Sequence, residues 1–459
     1  MCPEAELTRE ELIAIILEQR RVIASLQAQV LELQAEVARL QEELAKRGGP
    51  PSWVKRNTAP PKQQAPRKKR AKGASRHCQA VPEVTRTHVV DACPQCGRRL
   101  SGGWEASTRE TLVFPREPVR VVKHVCWARR CGACGTVVVG KPDPVAHGLV
   151  GRHRVDARGM SLIAYWHTTC RMPLRTIQQQ LQALWSCRLS LGALRYILDE
   201  VAERGVADYR RLRAEVRGSP VVHQDETGWR EDGQNGYVWA SVTEAVRYFE
   251  RHGSRAGAIP REILGEEFSG VVVCDGYAGY DSLGCVLQRC WTHLLRKGHE
   301  LKDRHPDAAA AHAWADGIKA IYEQARQEVA TAGYAELRER ARQTRRQAYE
   351  RRLQAHVTPA VTSPIPEQAR LAKFLLRKLN ELFVFVQHPH VKSENNPAER
   401  AIRPLVIARK VCGGTRSERG SKTKMTLLSL LHTAQLRGLD PIASLEQMLL
   451  GTPLFPASA

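Results

Sequence analysis

The chain opens with a long helical pattern in which apolar residues recur every seven positions. The first series, mostly β-branched, is Ile16, Ile23, Val30, Val37 and Leu44. The second series, mostly leucine, is Leu12, Gln19, Leu26, Leu33 and Leu40. β-Branched residues in one series and leucines in the other favour a parallel two-stranded coiled coil. We therefore predict one helix over 8–46 within an N-terminal segment 1–47. The alternative is a helix that packs on its own domain.

Helical spacing returns between residues 149 and 217. Apolar residues three and four apart predict helices over Leu174–Leu184 and Leu191–Arg204, and Ser190 is a suitable cap for the second. The short turn near Cys187 resembles the joint of a helix-turn-helix. We expect a helical region here that binds DNA, although an ordinary helical hairpin fits the same pattern.

Short apolar runs, typical of strands, begin at residue 218. The predicted strands are Ser219–His223, Tyr237–Val242, Val246–Arg251 and Val271–Cys274, with a helix at Ile259–Leu264. Charged, Ala- and Arg-rich helices follow over 307–330, 334–356 and 366–382. They predict a helical insertion at 294–385 that separates two parts of one core, 218–293 and 386–459. Charged helices of this kind usually present a solvated face.

The charge balance indicates which class of partner the protein binds. The 459 residues include 70 Lys and Arg but 48 Asp and Glu, so the formal net charge is +22. Such a surplus favours a polyanion such as DNA, although a basic protein without nucleic acid remains the alternative. Apolar residues are 42%, which excludes disorder throughout. No apolar run approaches the ~18–20 residues that span a bilayer, and the acidic start does not fit a signal peptide. A cytoplasmic, nucleoid-associated location is expected.

A basic linker is predicted at 48–85. No acidic residue occurs from Gly48 to Pro82, and prolines are frequent there. Such a segment buries too little apolar area to fold and should act as a flexible tether. Lys68, Lys69 and Arg70 are its candidate phosphate contacts. A solvated linker without contacts is equally compatible with this composition.

Two CxxC pairs predict a zinc module at 86–148. Cys93 and Cys96 form the first pair, and Cys131 and Cys134 the second. In a reducing compartment, paired thiolates at this spacing indicate a closed tetrahedral zinc site rather than disulfides. One structural zinc ion is expected, with strands at Glu110–Pro115 and Val119–Val125 between the pairs.

Two aspartates follow predicted strands and form a candidate metal site. Asp225 follows the run 219–223, and Asp275 follows Val271–Cys274. If the two strands are adjacent, both carboxylates lie at one sheet edge, where oxygen ligands suit Mg²⁺ or Mn²⁺. Singly, each Asp more often caps a turn.

A third carboxylate lies in the stretch 393–400. Asn396 can cap a short helix that has Pro397 in its first position, Glu399 in its third and Pro404 as its limit. Glu399 then either joins the two aspartates or closes a capping box with Asn396.

These motifs together resemble transposases of the insertion-sequence-66 family of bacterial mobile elements. The resemblance covers nearly the whole chain, from the leucine-zipper-like helix and CPxCG…CxxC to Gly438-Leu-Asp-Pro441. It includes Asp-Glu-Thr at 225–227, Asp-Gly-Tyr-x-Gly-Tyr at 275–280 and Cys-Trp-x-His-x-x-Arg at 290–296. It continues with Asn-Asn-x-x-Glu-Arg-x-x-Arg-Pro at 395–404 and Arg-Lys at 409–410. An Asp commonly precedes the paired Asn in that family, whereas Glu394 stands here.

The resemblance implies a multidomain α/β protein with an RNase H-like catalytic core and a DDE triad. The triad falls on Asp225, Asp275 and Glu399, which would bind two Mg²⁺ (or Mn²⁺) ions. Implied partners are double-stranded DNA (the terminal inverted repeats and the target), a second copy through the coiled coil, and accessory proteins of the same element. Besides the three linker residues, the candidate DNA-binding residues are Arg296, Arg400, Arg403, Arg409 and Lys410.

Other functions are less consistent with the sequence. His293, Arg296 and Tyr322 superficially fit a recombinase that links covalently to DNA, but that interpretation leaves both aspartates and the cysteine pairs unused. A catalytically silent, zinc-dependent DNA-binding protein derived from a transposase is the main alternative. A host RNase H-like nuclease is a further one.

Overall fold

The structure, a computed structural model, describes residues 9–46, 87, 91–99, 101, 104, 119–131, 133–134 and 136–455. The chain divides into two units, Met1–Phe114 and Pro115–Ala459. Within the described residues the helices are α1 (Arg9–Lys46), α2 (Ala157–Thr168), α3 (Leu174–Trp185), α4 (Leu191–Arg204), α5 (Val206–Arg217), α6 (Ala258–Leu264), α7 (Trp291–Arg304), α8 (Ala309–Val329), α9 (Glu339–Val357), α10 (Pro366–Arg377), α11 (Val384–Gln387), α12 (Asn396–Cys412), α13 (Glu418–Leu436) and α14 (Pro441–Leu449). The strands are β1 (Ala128–Arg130), β2 (Val137–Val139), β3 (Val221–Glu231), β4 (Gln234–Val242), β5 (Arg247–His252), β6 (Val271–Cys274) and β7 (Val286–Arg289).

The second unit is a mixed α/β structure built around a five-stranded sheet in the order β5-β4-β3-β6-β7. β3, β4 and β5 pair antiparallel, whereas β6 pairs parallel to both β3 and β7. Alternate residues of a strand point to opposite faces, so Trp239 belongs to one core while Val238 and Ala240 belong to another. The first core includes residues of α4 and α13, and the second includes residues of α12.

The strand prediction around the first aspartate was too short. β3 does not end near His223 but continues to Glu231, so Asp225 lies inside the strand. The reason is the tight turn that follows, where Asp232 and Gly233 both have positive φ and Glu231 pairs with Gln234. An Asp-Gly turn of this kind matches the twist of a hairpin and extends the pairing of β3 with β4.

The helix after residue 395 also differs from its prediction. α12 passes through Pro404 and ends at Cys412. Proline removes one helical hydrogen bond, but Ala401 and Leu405 are buried in the core that α12 shares with β4, and this packing holds the helix together. Its N-cap is Asn395 rather than Asn396.

Helices are present over most of the stretches predicted as helical at 307–330, 334–356 and 366–382 and in the middle region. α8, α9 and α10 surround their own apolar core, which includes Trp291, Trp314 and Phe383. In the middle region, Ser190 caps α4 by accepting the Ala193 N–H, as predicted. α4 packs on α13, and the helix-turn-helix interpretation stays a prediction.

The predicted strand at Val119–Val125 is wrong. Residues 119–127 form no strand, and the short strands β1 and β2 instead flank Cys131 and Cys134. The companion prediction at 110–115 lies outside the described residues, as does the whole linker 48–85. No helix among the described residues combines the length and apolar composition that a membrane crossing requires.

The helix α1 confirms the predicted N-terminal helix. The two apolar series along it, called the seam below, are exposed where the structure describes their side chains. The seam side chains that the structure describes are each 51–65% exposed: Ile23, Leu26, Val30, Leu33 and Val37. The other apolar seam side chains, Leu12, Ile16, Leu40 and Leu44, lie outside the described ones. An uncovered stripe of this length is typical of a helix that pairs with a partner. The coiled coil itself remains a prediction.

We expect the variant Val30→Lys/Leu33→Lys to lose self-association. Each Val or Leu buried in a dimer seam stabilises it by about 1.5–3 kcal/mol, and both chains are affected, so the dissociation constant should rise more than about a thousandfold. Sedimentation of the full chain measures this change. Ser25→Lys, on the outer face of the same helix, is the matched control. A wild-type chain that sediments as a monomer at tens of micromolar would contradict the coiled coil.

Candidate active site

The pairing of β3 with β6 puts the two predicted aspartates at corresponding positions along neighbouring segments of the sheet. β3 and β6 are adjacent and parallel, with Val221 opposite Val271 and His223 opposite Val273. Two residues further along each chain, Asp225 and Asp275 therefore stand side by side. The Tyr277 N–H donates to Asp275 Oδ1 at 2.9 Å, which orients that carboxylate.

Glu399 reaches this site because Asn395 anchors the start of α12 to β3. Asn395 is 1% exposed, and its Nδ2 donates to the Gln224 carbonyl at 2.7 Å. Its Oδ1 lies 3.2 Å from His223 Nδ1. Burial lowers the pKa of His223 to about 4, so the neutral ring donates to this oxygen. Glu399, in the first turn of α12, is thereby fixed relative to β3.

The charges of neighbouring carboxylates act on Asp225. Burial, together with the charges of Glu226, Asp275 and Glu399, raises the pKa of Asp225 to about 8. Like charges at short range disfavour ionisation, and a cation reverses this effect. The residues present therefore fit a divalent metal with oxygen ligands.

Glu226, next to Asp225, already has hydrogen-bond donors within the protein. Its side chain is 2% exposed and accepts a hydrogen bond from Arg255 Nε at 2.7 Å and another from the Tyr280 hydroxyl at 2.6 Å. Arg255 also stacks on the Tyr277 ring, with its guanidinium carbon 3.9 Å from the ring centroid. These contacts leave Asp225, rather than Glu226, as the carboxylate available to a ligand.

The two candidate glutamates of the third motif occupy different environments. Glu394 accepts hydrogen bonds from the Tyr322 hydroxyl at 3.1 Å and from Asn396 Nδ2 at 2.5 Å. Glu399 Oε1 is buried and has no hydrogen-bond partner among the described residues. The charge of Glu399 contributes to the raised pKa of Asp225. Tyr322 is 3% exposed, which is unfavourable for the covalent recombinase considered from the sequence.

Sequence reasoning placed neither Cys290 nor His293 in the carboxylate site, yet both lie beside Glu399. Cys290 is the N-cap of α7 and His293 lies in its first turn. Their ligand atoms and a carboxylate oxygen of Glu399 all lie within 4.8 Å of one another. The CxxH spacing at the start of a helix was the signal in the sequence, because it places both side chains at one helix end.

Most of the candidate DNA-binding residues that the structure describes are exposed, and one is held by hydrogen bonds within the protein. Arg400 and Arg403 are exposed on α12, and Arg296 is exposed on α7. Arg409 is half-buried, and its Nη1 donates to Thr227 Oγ1 at 3.3 Å and to the Gly228 carbonyl, so it links α12 to β3. Lys410 is exposed as well. Lys68, Lys69 and Arg70 lie outside the described residues.

Each predicted zinc-binding pair forms a local turn. In the first unit, the Gly97 N–H donates to the Cys93 carbonyl at 2.8 Å, and Gly97 has a φ of 71°. Hydrogen bonds from the backbone N–H groups of Cys96 and Gln95 lower the pKa of Cys93. In the second unit, the hydroxyl of Thr136, 3.2 Å from Cys134 Sγ, lowers the pKa of Cys134 to about 7. Thiolates are the form that binds zinc, so each turn by itself suits a pair of zinc ligands.

We expect purified protein to contain about one zinc ion per chain, as a closed four-thiolate site implies. The double variant Cys93→Ser/Cys131→Ser removes one ligand from each pair and should lose nearly all of this metal. Metal analysis of the full chain measures it, with Cys170→Ser, at an exposed cysteine outside the pairs, as control. Unchanged zinc content in the double variant would rule out the assignment.

Comparison with known proteins gives one family and several relatives. The family model described as "Transposase IS66 family" matches residues 152–423, more than half of the chain. In Sinorhizobium fredii (strain NBRC 101917 / NGR234), Uncharacterized protein y4qI is 27% identical over 424 residues, 82% of this chain and 73% of its own length. Uncharacterized protein y4jD of the same organism is 27% identical over 390 residues, 78% of this chain and 74% of its own.

Proposed function

Because the chain belongs to the IS66 family of transposases, we propose that it is a DDE transposase that cuts and joins DNA at the ends of a bacterial insertion sequence. Membership of a transposase family implies DNA binding and a DNA-processing activity. The observation that carries the more specific proposal is the parallel pairing of β3 with β6, which puts Asp225 and Asp275 at matching positions on neighbouring segments of the sheet.

The sheet supports an RNase H-like core. The central strand β3 pairs antiparallel with β4, which pairs antiparallel with β5. On its other side β3 pairs parallel with β6, which pairs parallel with β7. In the proposed core, Asp225 and Asp275 lie just beyond the parallel pairing of β3 with β6, and Glu399 lies on α12. The insertion α8–α10 interrupts the core between β7 and α12.

Asp225, Asp275 and Glu399 would hold two Mg²⁺ or Mn²⁺ ions. Such ions supply Lewis-acid activation of a water or hydroxyl group and stabilise the negative charge on a leaving oxygen. The chain's part is to carry three carboxylates near one another: Asp225 inside β3, Asp275 directly after the neighbouring β6, and Glu399 on a helix that Asn395 anchors to β3.

The proposed reaction has two chemically similar steps. First, a water oxygen forms a bond to phosphorus at the element end while the bond from phosphorus to the 3′ oxygen breaks, which leaves a 3′-hydroxyl. That hydroxyl then attacks a phosphodiester of the target, so one bond forms as another breaks. Arg400 and Arg403, exposed on the helix of Glu399, are placed to bind the phosphate. The nucleophiles are water and DNA, so the protein forms no covalent bond to DNA.

The proposed partners follow from this reaction. The enzyme binds the terminal inverted repeats and a target duplex, and pairing through α1 would bring two element ends together. Accessory proteins of the same element are compatible with the proposal. Zinc would have a structural role only.

The test is cleavage of a labelled duplex that carries the element's end, incubated with the full chain and Mg²⁺. The proposal expects nicks that bear a 3′-hydroxyl at the element boundary, joined products when target DNA is added, and no protein that stays attached to DNA after denaturation. A trapped protein–DNA adduct, or DNA binding without any cleavage, would contradict it.

A further inference from the structure

Three side chains that can bind metals meet beside the carboxylate site: Cys290, His293 and Glu399. His293 Nδ1 lies 3.7 Å from Glu399 Oε1. That distance is too long for a hydrogen bond. Two ligand atoms that each lie about 2.1 Å from one ion can be up to about 4.2 Å apart, so the pair can share a metal ion without rearrangement.

Both facing atoms lack the partner that buried polar atoms normally have. His293 Nδ1 and Glu399 Oε1 are buried and accept or donate no hydrogen bond within the part of the chain that the structure describes. The great majority of buried polar side-chain atoms are paired. Two unpaired atoms that face each other across 3.7 Å, one a nitrogen lone-pair donor and the other a carboxylate oxygen, are suited to one cation between them.

Cys290 lies beside His293 and Glu399 but is not a third metal ligand in this arrangement. Its side chain is 1% exposed, and Sγ already accepts the Asn395 N–H at 3.2 Å. The ligand set on this side of the site is therefore one imidazole nitrogen and one carboxylate oxygen.

We infer that His293 is a nitrogen ligand of the ion held by Glu399, and that this position prefers Mn²⁺ to Mg²⁺. The inference rests on the proposed function, because Glu399 is one of the three proposed catalytic carboxylates. Mg²⁺ is a hard ion that takes oxygen ligands, whereas an imidazole ligand favours transition metals. A position with one nitrogen and one oxygen ligand therefore favours Mn²⁺ over Mg²⁺. A site with carboxylate ligands alone would bind the two ions with more similar affinities.

The test is Mn²⁺ binding to the full-length protein, followed by electron paramagnetic resonance, with Mg²⁺ as competitor. In the wild type, pulsed spectra should show coupling of bound Mn²⁺ to a directly coordinated nitrogen. His293→Ala should lose this coupling and bind Mn²⁺ at least about tenfold more weakly, the lower end of what loss of a metal-supporting group costs. His299→Ala, at an exposed histidine on the same helix, is the matched control.

His293→Asp keeps the inference testable if the alanine variant folds poorly. An Asp carboxylate oxygen is as many bonds from Cβ as Nδ1 of histidine, so it can replace the nitrogen by an oxygen in place. This variant should retain Mn²⁺, lose the nitrogen coupling and shift the competition toward Mg²⁺.

The outcomes separate this inference from the proposed function. If Asp225→Asn and Glu399→Gln weaken Mn²⁺ binding but the wild type shows no nitrogen coupling that depends on His293, the inference is overturned and the carboxylate site stands. His293 is then only an ion-pair partner of Glu399. If neither carboxylate variant changes Mn²⁺ binding, the proposed metal site itself fails, and the inference fails with it.

Discussion

Asp225→Asn is expected to bind element-end DNA normally and to lose strand cleavage and joining by roughly a thousandfold or more. The amide keeps the shape of the side chain but removes the charge that a divalent ion requires. Removing a single group that stabilises charge in a transition state commonly costs 10²–10³-fold, roughly, and a metal ligand should cost at least as much. Asp275→Asn should have the same effect. Cleavage of labelled duplex, with binding measured separately by gel shift, checks both variants.

Asp225→Asn should also change how the stability of the protein depends on pH, an effect that a damaged fold would not produce. The pKa of Asp225 is about 8 in the folded chain, above its ordinary 3.8. Between these values the folded state holds one more proton than the unfolded state, so stability falls as the pH rises through this window. In buffer without divalent ions, wild type should therefore lose more stability than Asp225→Asn between about pH 5 and about pH 8. Thermal unfolding at the two pH values measures the difference, and equal losses would argue against a buried, charge-repelled Asp225.

Arg289→Met is expected to lower the free energy of unfolding by about 3–5 kcal/mol and to abolish cleavage. The Arg289 side chain is 1% exposed, and its Nε donates to Glu381 at 2.5 Å while Nη2 contacts Asp281. Its Nη1 also donates to the carbonyls of Asp275 and Tyr277, at 2.9 and 3.0 Å. Methionine fills the space but leaves buried acceptors and a carboxylate without this partner. Activity should fall because the loop that carries Asp275 loses its anchor.

Arg370→Met is the matched control for that prediction. Arg370 is 71% exposed and pairs with Glu367 at 3.0 Å, and exposed pairs contribute only about 0–1 kcal/mol. Denaturant unfolding of the two variants beside wild type gives the comparison. If Arg289→Met unfolds at the same denaturant concentration as Arg370→Met and cleaves DNA at the wild-type rate, the buried network has no anchoring role.

The sequence was most informative where the chemistry is local. The heptads predicted α1, and the continuous apolar run Val271–Cys274 predicted β6, the strand that Asp275 follows. The placement of Asp225 inside β3 was missed, because a strand's length depends on its hairpin partner as well as on its own apolar residues. The passage of α12 through Pro404 was missed for a similar reason, since packing on the sheet outweighs the local effect of proline.

The contacts that assemble the site were beyond the sequence because they join distant segments. Asn395 bonds His223, 172 residues away, and Arg289 bonds Glu381, 92 residues away. Each side chain alone looks like an ordinary cap or surface charge, and only the fold shows that both are buried. His293 was visible as part of a CxxH pattern, but its closeness to Glu399 depends on how α7 and α12 approach each other.

The central claim, that Asp225, Asp275 and Glu399 are the catalytic carboxylates, is tested most directly by comparing two glutamine variants in one cleavage assay. Glu399 Oε1 has no hydrogen-bond partner among the described residues, whereas Glu394 is held by Tyr322 and Asn396. Glu399→Gln should therefore bind the labelled element end and leave it uncut, while Glu394→Gln should retain measurable cleavage. An active Glu399→Gln beside an inactive Glu394→Gln would contradict the account.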